Sequence, residues 1–176
     1  MKPTDNTFVQ YYLYILSRML KEPRRVFYEI LPQQNVKRSL GVLLISSIIY
    51  ALTCTLICRS ETPVFHVGVL LVNAMGMALI AAVIGFGLIA VITGRWVPFT
   101  RQLPIYALTS GITLLIAWFP FSLWFTEPWK WWLIGAGLTD GLSLKGRQAF
   151  VVIIGSIGIM VLLFGAVLPR ITPPPV

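Results

Sequence analysis

The chain offers few side chains with which to do chemistry. His66 is its single histidine, so a histidine-rich metal site and a haem held by two histidines are both out of reach within it. Most histidine-based proton relays are excluded for the same reason. At one end of an apolar run, His66 reads as an interfacial histidine, and a proton-linked or quinone-facing group is the sharper alternative. Cys54 and Cys58 stand at i and i+4, on one face of a helix. Two thiolates alone fall short of a closed zinc site, and core packing is the expectation. Asn73 is the most deeply placed strongly polar group, suited to a hydrogen bond between membrane helices. Asp140, followed by Lys145 and Arg147, reads as a charged hairpin. Four tryptophans, Trp124, Trp129, Trp131 and Trp132, fall within nine residues. Such rings belong at headgroup level, with a lipid or quinone contact as the sharper alternative. The motifs G-x-S-x-G and H-E-x-x-H, the P-loop and the dinucleotide fingerprint are missing from the sequence. The expectation is therefore a protein with no catalytic residues, no metal and no cofactor of its own.

Whatever these groups do, apolar elements must hold them. Hydrophobic residues make up 57% of the 176-residue chain and charged residues only 11%, with a mean hydropathy of +0.82. Soluble domains carry about 25% charged residues, so this chain could not clothe a surface in water. Disorder is excluded as well, because so much apolar area is available for burial. The composition predicts an integral membrane protein. Its net charge of +8 could suggest nucleic acid, but no basic segment carries a nucleic-acid motif. Basic residues accumulate in cytoplasmic loops, which makes the charge an orientation signal.

Gaps between charges locate the spans. Twenty uncharged residues separate Arg38 from Arg59, 33 separate Glu61 from Arg95, 25 separate Arg101 from Glu127, and 22 run from Gln148 to Pro169. Crossing a hydrocarbon core takes about 20 residues of helix, so each gap holds one span: 39–57, 66–92, 103–124 and 149–168. A shorter apolar stretch at 128–142 is either a fifth span or a re-entrant segment. With five spans, 11 of the 14 Lys and Arg residues lie on the N-terminal side; with four, 10 do. The positive-inside rule thus favours five, with the N-terminus cytoplasmic and the C-terminus outside. The predicted fold is an all-α, polytopic five-helix membrane bundle over 39–168. External loops are tiny, at 59–63 and 126–130.

The first 38 residues form a cytoplasmic segment. Phe8, Tyr11, Tyr12, Ile15, Met19 and Leu20 share roughly one helical face, which predicts an amphipathic helix lying on the membrane surface. Arg18, Lys21, Arg24 and Arg25 would face anionic lipid. Packing on the protein's own loops is the alternative. Pro23 should end this helix or open a second one carrying Val26, Phe27 and Ile30. Nothing here resembles a cleaved signal peptide or a lipidation site. Residues 169–176 include Pro173, Pro174 and Pro175 and should be extended.

Small residues recur at packing intervals. Ala74, Ala78 and Ala82 repeat every four residues, Ala81 pairs with Gly85, and Gly137 pairs with Gly141. Gly155 and Gly158 lie in the last span. These positions let helix backbones approach closely, within the chain or against a partner.

Three stretches together carry a family resemblance: EPRRVFYEIL, with Pro23 and Phe27; TGRWVPFTRQLPIYAL, with Gly94, Phe99 and Tyr106; and WWLIGAGLTDGLSLKGRQA, with Trp132, Gly137, Leu138, Leu142, Ser143 and Ala149. They resemble the Yip domain family (Ypt/Rab-interacting-protein-like), particularly its small bacterial members, over roughly residues 15–168. Where that family often has a proline shortly after the tyrosine, this chain has Ser110. The resemblance implies about five spans and a bacterial inner-membrane location, and brings no catalytic residues. Three functions follow as expectations. The first is a non-enzymatic scaffold or accessory subunit, packing against other integral membrane proteins and lipids as a homo- or hetero-oligomer. The second is a lipid or small-molecule carrier component, and the third a contributor to a quinone pocket in an electron-transfer complex.

Overall fold

The computed structural model describes residues 8–29, 36–59, 62–94, 96–119 and 121–171, without the side chains of 123 and 167–171. The expected extended tail at 172–176 and the contribution of Ile30 lie outside these residues. Among them every regular element is helical: α1 (Phe8–Lys21), α2 (Pro23–Glu29), α3 (Val36–Cys58), α4 (Pro63–Thr93), α5 (Phe99–Ala117), α6 (Leu123–Ala136) and α7 (Gly146–Ile171). A π turn, Gly137–Gly141, continues α6. Three of the helices, α3, α4 and α7, are long and apolar enough to cross a membrane.

Local chemistry explains the boundaries. Pro63 opens α4 at a position where its missing N–H is no loss. Gly94 closes that helix in the left-handed region (φ 62°), its N–H donating to the Ala90 carbonyl at 3.1 Å. Pro23 opens α2 in the same way as Pro63 opens α4, as the sequence predicts. Two boundaries differ from the expectation. The third span was placed at 103–124, but α5 ends at Ala117 and a turn follows, with Phe121 at φ 68°. The tryptophans at 124–132 then stand on α6, and the expected external loop at 126–130 is helical. Glu127 and Lys130 form an i,i+3 ion pair there, which fits them to a helix surface.

The centre of the bundle is α5. Every residue from Gln102 to Thr113 is buried, because α3, α4 and α6 all pack on this helix. A helix enclosed by protein need not be uniformly apolar, so α5 carries Gln102, Thr109, Ser110 and Thr113 in its middle. By contrast, α4 shows Val72, Val83 and Val91 outward, and α7 shows Val161 and Leu162.

The ends of the bundle are distinct. The π turn packs on α2, and one recess is lined jointly by Thr93–Arg101 and by Gly141–Gln148. The N-terminal helices, the α4–α5 turn and the π turn therefore share one end. Here α1 is seated on the bundle: Tyr11, Tyr12, Ile15 and Met19 are buried, and Tyr12 Oη hydrogen-bonds Ser46 Oγ of α3 at 3.0 Å. Phe8 and Leu20, expected on the same face, are exposed. They sit at the margins of the apolar stripe; the Phe8 ring still lies against Gly41 of α3, whereas Leu20 is 57% exposed.

Candidate functional site

Two concave sites are built from residues that the sequence analysis treated separately. The first lies at the α2 end. Trp132, Gly135 and Ala136 of α6 with Thr139 of the π turn form one wall of a groove of about 330 Å³, and Gly146, Ala149, Phe150 and Ile153 of α7 form the other. Glycine at 135 keeps the walls close, since a Cβ there would stand 3.0 Å from Ile153 Cδ1. Arg24 of α2 lines the mouth and also an adjoining recess with Glu22, Pro23, Arg25 and Trp132.

The cations at this mouth differ in what already engages them. Arg25 Nε donates to Glu29 Oε1 at 2.7 Å and Nη1 reaches Glu22 at 3.3 Å. Those carboxylates raise the Arg25 pKa, the Glu29 hydrogen bond most of all. In return Arg25 holds the Glu29 carboxyl below its ordinary value of 4.5. Arg18 also pairs with Glu22, at 3.6 Å. Arg24, with 71% of its side chain exposed, has a more distant partner, Asp140 Oδ2 at 3.9 Å. Asp140 was expected in a hairpin with Lys145 and Arg147. The π turn instead aims it at α2, and Thr139 caps the preceding turn by donating to the Gly135 and Ala136 carbonyls. Lys21, expected beside these arginines, is exposed at the end of α1.

The second site is a cavity of about 180 Å³ nearer the other end, among Tyr50, Asn73, Met77, Ser110, Thr113 and Trp131, with Glu127 and Lys130 also on its wall. Asn73 makes no interhelical hydrogen bond among the described residues; it is exposed and faces this cavity. The helix spacing placed it at membrane depth, but depth does not say which way a side chain points. His66 lies in the first turn of α4, its Nδ1 sharing a 3.0 Å hydrogen bond with Thr55 Oγ1 of α3. The cysteines depart from the expected core packing: Cys54 is half-buried and Cys58 exposed.

The tryptophans do not converge on one pocket. Trp124 is exposed beside Phe121 and Phe125, Trp129 packs against the core, and Trp131 reaches both concave sites. Trp132 belongs to the groove.

Most of the predicted small-residue positions serve the chain's own packing. Ala74, Ala78, Ala82 and Gly85 are buried on α4, and Gly85 receives the Tyr106 ring edge of α5. Gly137 lies against Ile105, and Gly155 against Leu88. Gly141 borders the recess at the α2 end. Gly158 is the exception, facing outward with nothing within 4 Å of a Cβ built on it. The sequence marked Tyr106 but missed its buried neighbours behind Gly85: Gln102 Nε2 donates to the Ala82 carbonyl at 3.1 Å, and Tyr106 neighbours both Gln102 and Ser156. Their only signal was polarity inside an apolar run. No family model, curated protein or solved structure matches this chain.

Proposed function

We propose that the chain is a non-enzymatic scaffold or accessory subunit of a bacterial inner membrane, packing against other membrane proteins through small-residue faces. On this reading it crosses five times, through α3, α4, α5, α6 with its π turn, and α7. The N-terminal end is cytoplasmic and α7 ends outside. The short α1 and α2 lie at the cytoplasmic headgroup level.

The observation that carries the reading is a bare face on two neighbouring helices. Gly76 and Gly87 of α4 and Gly158 and Gly165 of α7 have nothing within 4 Å of an added Cβ. The α4 pair is eleven residues apart and the α7 pair seven, each close to a whole number of helical turns. Ala74, Ala78, Ala82 and Gly85 of α4 are consumed internally, whereas these four, like Gly68 near the start of α4, leave the backbone open to another helix. Solubilised from its native membrane in mild detergent, the protein should run as a stoichiometric assembly. Gly87→Leu with Gly158→Leu should release it without lowering its thermal stability, since the added side chains enter open space. A wild-type protein that runs as a lone monomer with no co-purifying chain defeats the proposal.

A carrier is the second reading, favoured by the cavity holding Asn73, Glu127 and Lys130. At about 180 Å³ it is below the roughly 300–1,000 Å³ of drug-sized ligand sites, so its cargo would be small. Asn73→Leu should abolish any flux that it supports.

A further inference from the structure

We propose that the α2–α6–α7 groove binds the headgroup of an anionic phospholipid, with Arg24 on the phosphate, Trp132 at the headgroup level and an acyl chain lying between α6 and α7. The inference rests on the reading that these helices cross the bilayer, and adds a specific ligand to it. Three observations converge. The groove is open to the side and apolar along its length, floored where Ile153 seats on Gly135 and flanked by the exposed rings of Trp132 and Phe150. A soluble phosphate would leave that apolar length empty, whereas an acyl chain would fill it.

 Charge selects the headgroup. The segment 18–29 carries four basic residues, Arg18, Lys21, Arg24 and Arg25, against two carboxylates, Glu22 and Glu29. Arg25 and Arg18 are engaged by those carboxylates. Of the other two, Arg24 lines the groove and Lys21 is not part of its lining; Arg24 is mostly exposed, with Asp140 3.9 Å away as its counter-charge. A phosphodiester at the mouth would compete for the guanidinium with a bidentate, charge-assisted contact. Basic pockets between membrane helices on the cytoplasmic side suit such headgroups. Trp132, half exposed at 49%, supplies the amphipathic ring that settles at this depth.

The test titrates the detergent-solubilised full chain with phosphatidylglycerol or phosphatidylcholine of identical acyl chains and reads retained lipid by native mass spectrometry. Wild type should retain the anionic lipid about fivefold more tightly, the worth of one basic residue near a surface. Arg24→Ala should remove that preference and Arg24→Lys should keep most of it. Arg25→Ala, whose charge is already matched by Glu22 and Glu29, should change it less than about twofold. Trp132→Leu should weaken both lipids. Equal retention of the two lipids by wild type overturns the proposal. So does an Arg24→Ala variant that keeps the preference, or an Arg25→Ala variant that loses as much. A co-purifying protein that Arg24→Ala releases, without any lipid preference, would assign the groove to a protein and also overturn it. Failure of the crossing reading would show instead in labelling of Ser143→Cys from the face opposite the N-terminus, which loss of the lipid site would leave unchanged.

Discussion

Tyr106 and Gly85 show how tightly the interior depends on single atoms. The Tyr106 ring edge fills the notch that glycine leaves on α4, so a Cβ at 85 would collide with Oη and stand 2.7 Å from Cζ. Tyr106 is 1% exposed and cannot swing away into open space. Gly85→Ala should therefore destabilise the bundle by about 1–3 kcal/mol, the usual cost of overpacking. Unfolding of the purified protein in detergent measures it. Adding Tyr106→Leu should recover part of the loss, a positive coupling that a double-mutant cycle resolves. Tyr106→Phe alone should cost within about 1 kcal/mol, because no aligned hydrogen bond holds Oη among the described residues. The sequence marked both residues, Gly85 by its spacing from Ala81 and Tyr106 by resemblance. It could not show that they touch. They lie 21 positions apart on different helices, and only the crossing of α4 and α5 brings them together.

At the level of elements, α1 is the instructive case. Its apolar face was legible from Tyr11, Tyr12, Ile15 and Met19, but periodicity reports a face and not what covers it. Lipid and protein demand the same pattern. The structure seats those residues on the bundle, where Ile15 and Met19 are fully buried and Tyr12 bonds Ser46. Ile15→Asp puts an unpaired carboxylate into that seat, at a cost of several kcal/mol if it stays ionised. The expected result is detachment of α1: amide protection over residues 8–21 is lost by hydrogen exchange while α4 and α7 keep theirs. Equal loss throughout would mean that α1 is integral to the bundle fold. The neighbouring α2 carries a pH dependence. The Arg25 hydrogen bond lowers the Glu29 pKa, so the folded helix binds this proton less readily than the unfolded chain. Its stabilisation is full above the ordinary 4.5 and disappears as pH falls through the lower folded value. Because both groups are exposed the effect is small. Exchange of the α2 amides, corrected for intrinsic rates, should rise as pH falls below the ordinary 4.5 in wild type and much less in Glu29→Gln.

For the molecule as a whole, scarcity of charge made the long helices readable, and α3, α4 and α7 fall where the gaps put them. The same rule was weakest for α5 and α6. Protein encloses α5, so its polar residues dilute the apolar signal. Charge gaps also cannot see the turn residues at 118–119 and 121–122, none of which is charged. The groove was legible only as two unrelated halves, a basic run and a tryptophan cluster, because nothing in the order of residues says that α2 folds back onto α6. That fold-back bears on the number of crossings. The π turn lies against α2, and Gly141–Gln148 lines a recess with Thr93–Arg101, so the chain must run back through the bundle between Phe121 and Ser143. A five-crossing protein then has Arg101 and Ser143 on the N-terminal side and Phe121 opposite. A four-crossing protein puts Ser143 on the side of Phe121. Single cysteines at 101, 121 and 143, in a background with Cys54→Ala and Cys58→Ala, separate the two with a membrane-impermeant thiol reagent. Five crossings require the cysteine at 121 to react from the outside, and those at 101 and 143 only after the inner face is opened. Reaction of the cysteine at 143 from the outside, with that at 101 still protected, leaves α6 as a re-entrant element and returns the C-terminal end of α7 to the cytoplasm.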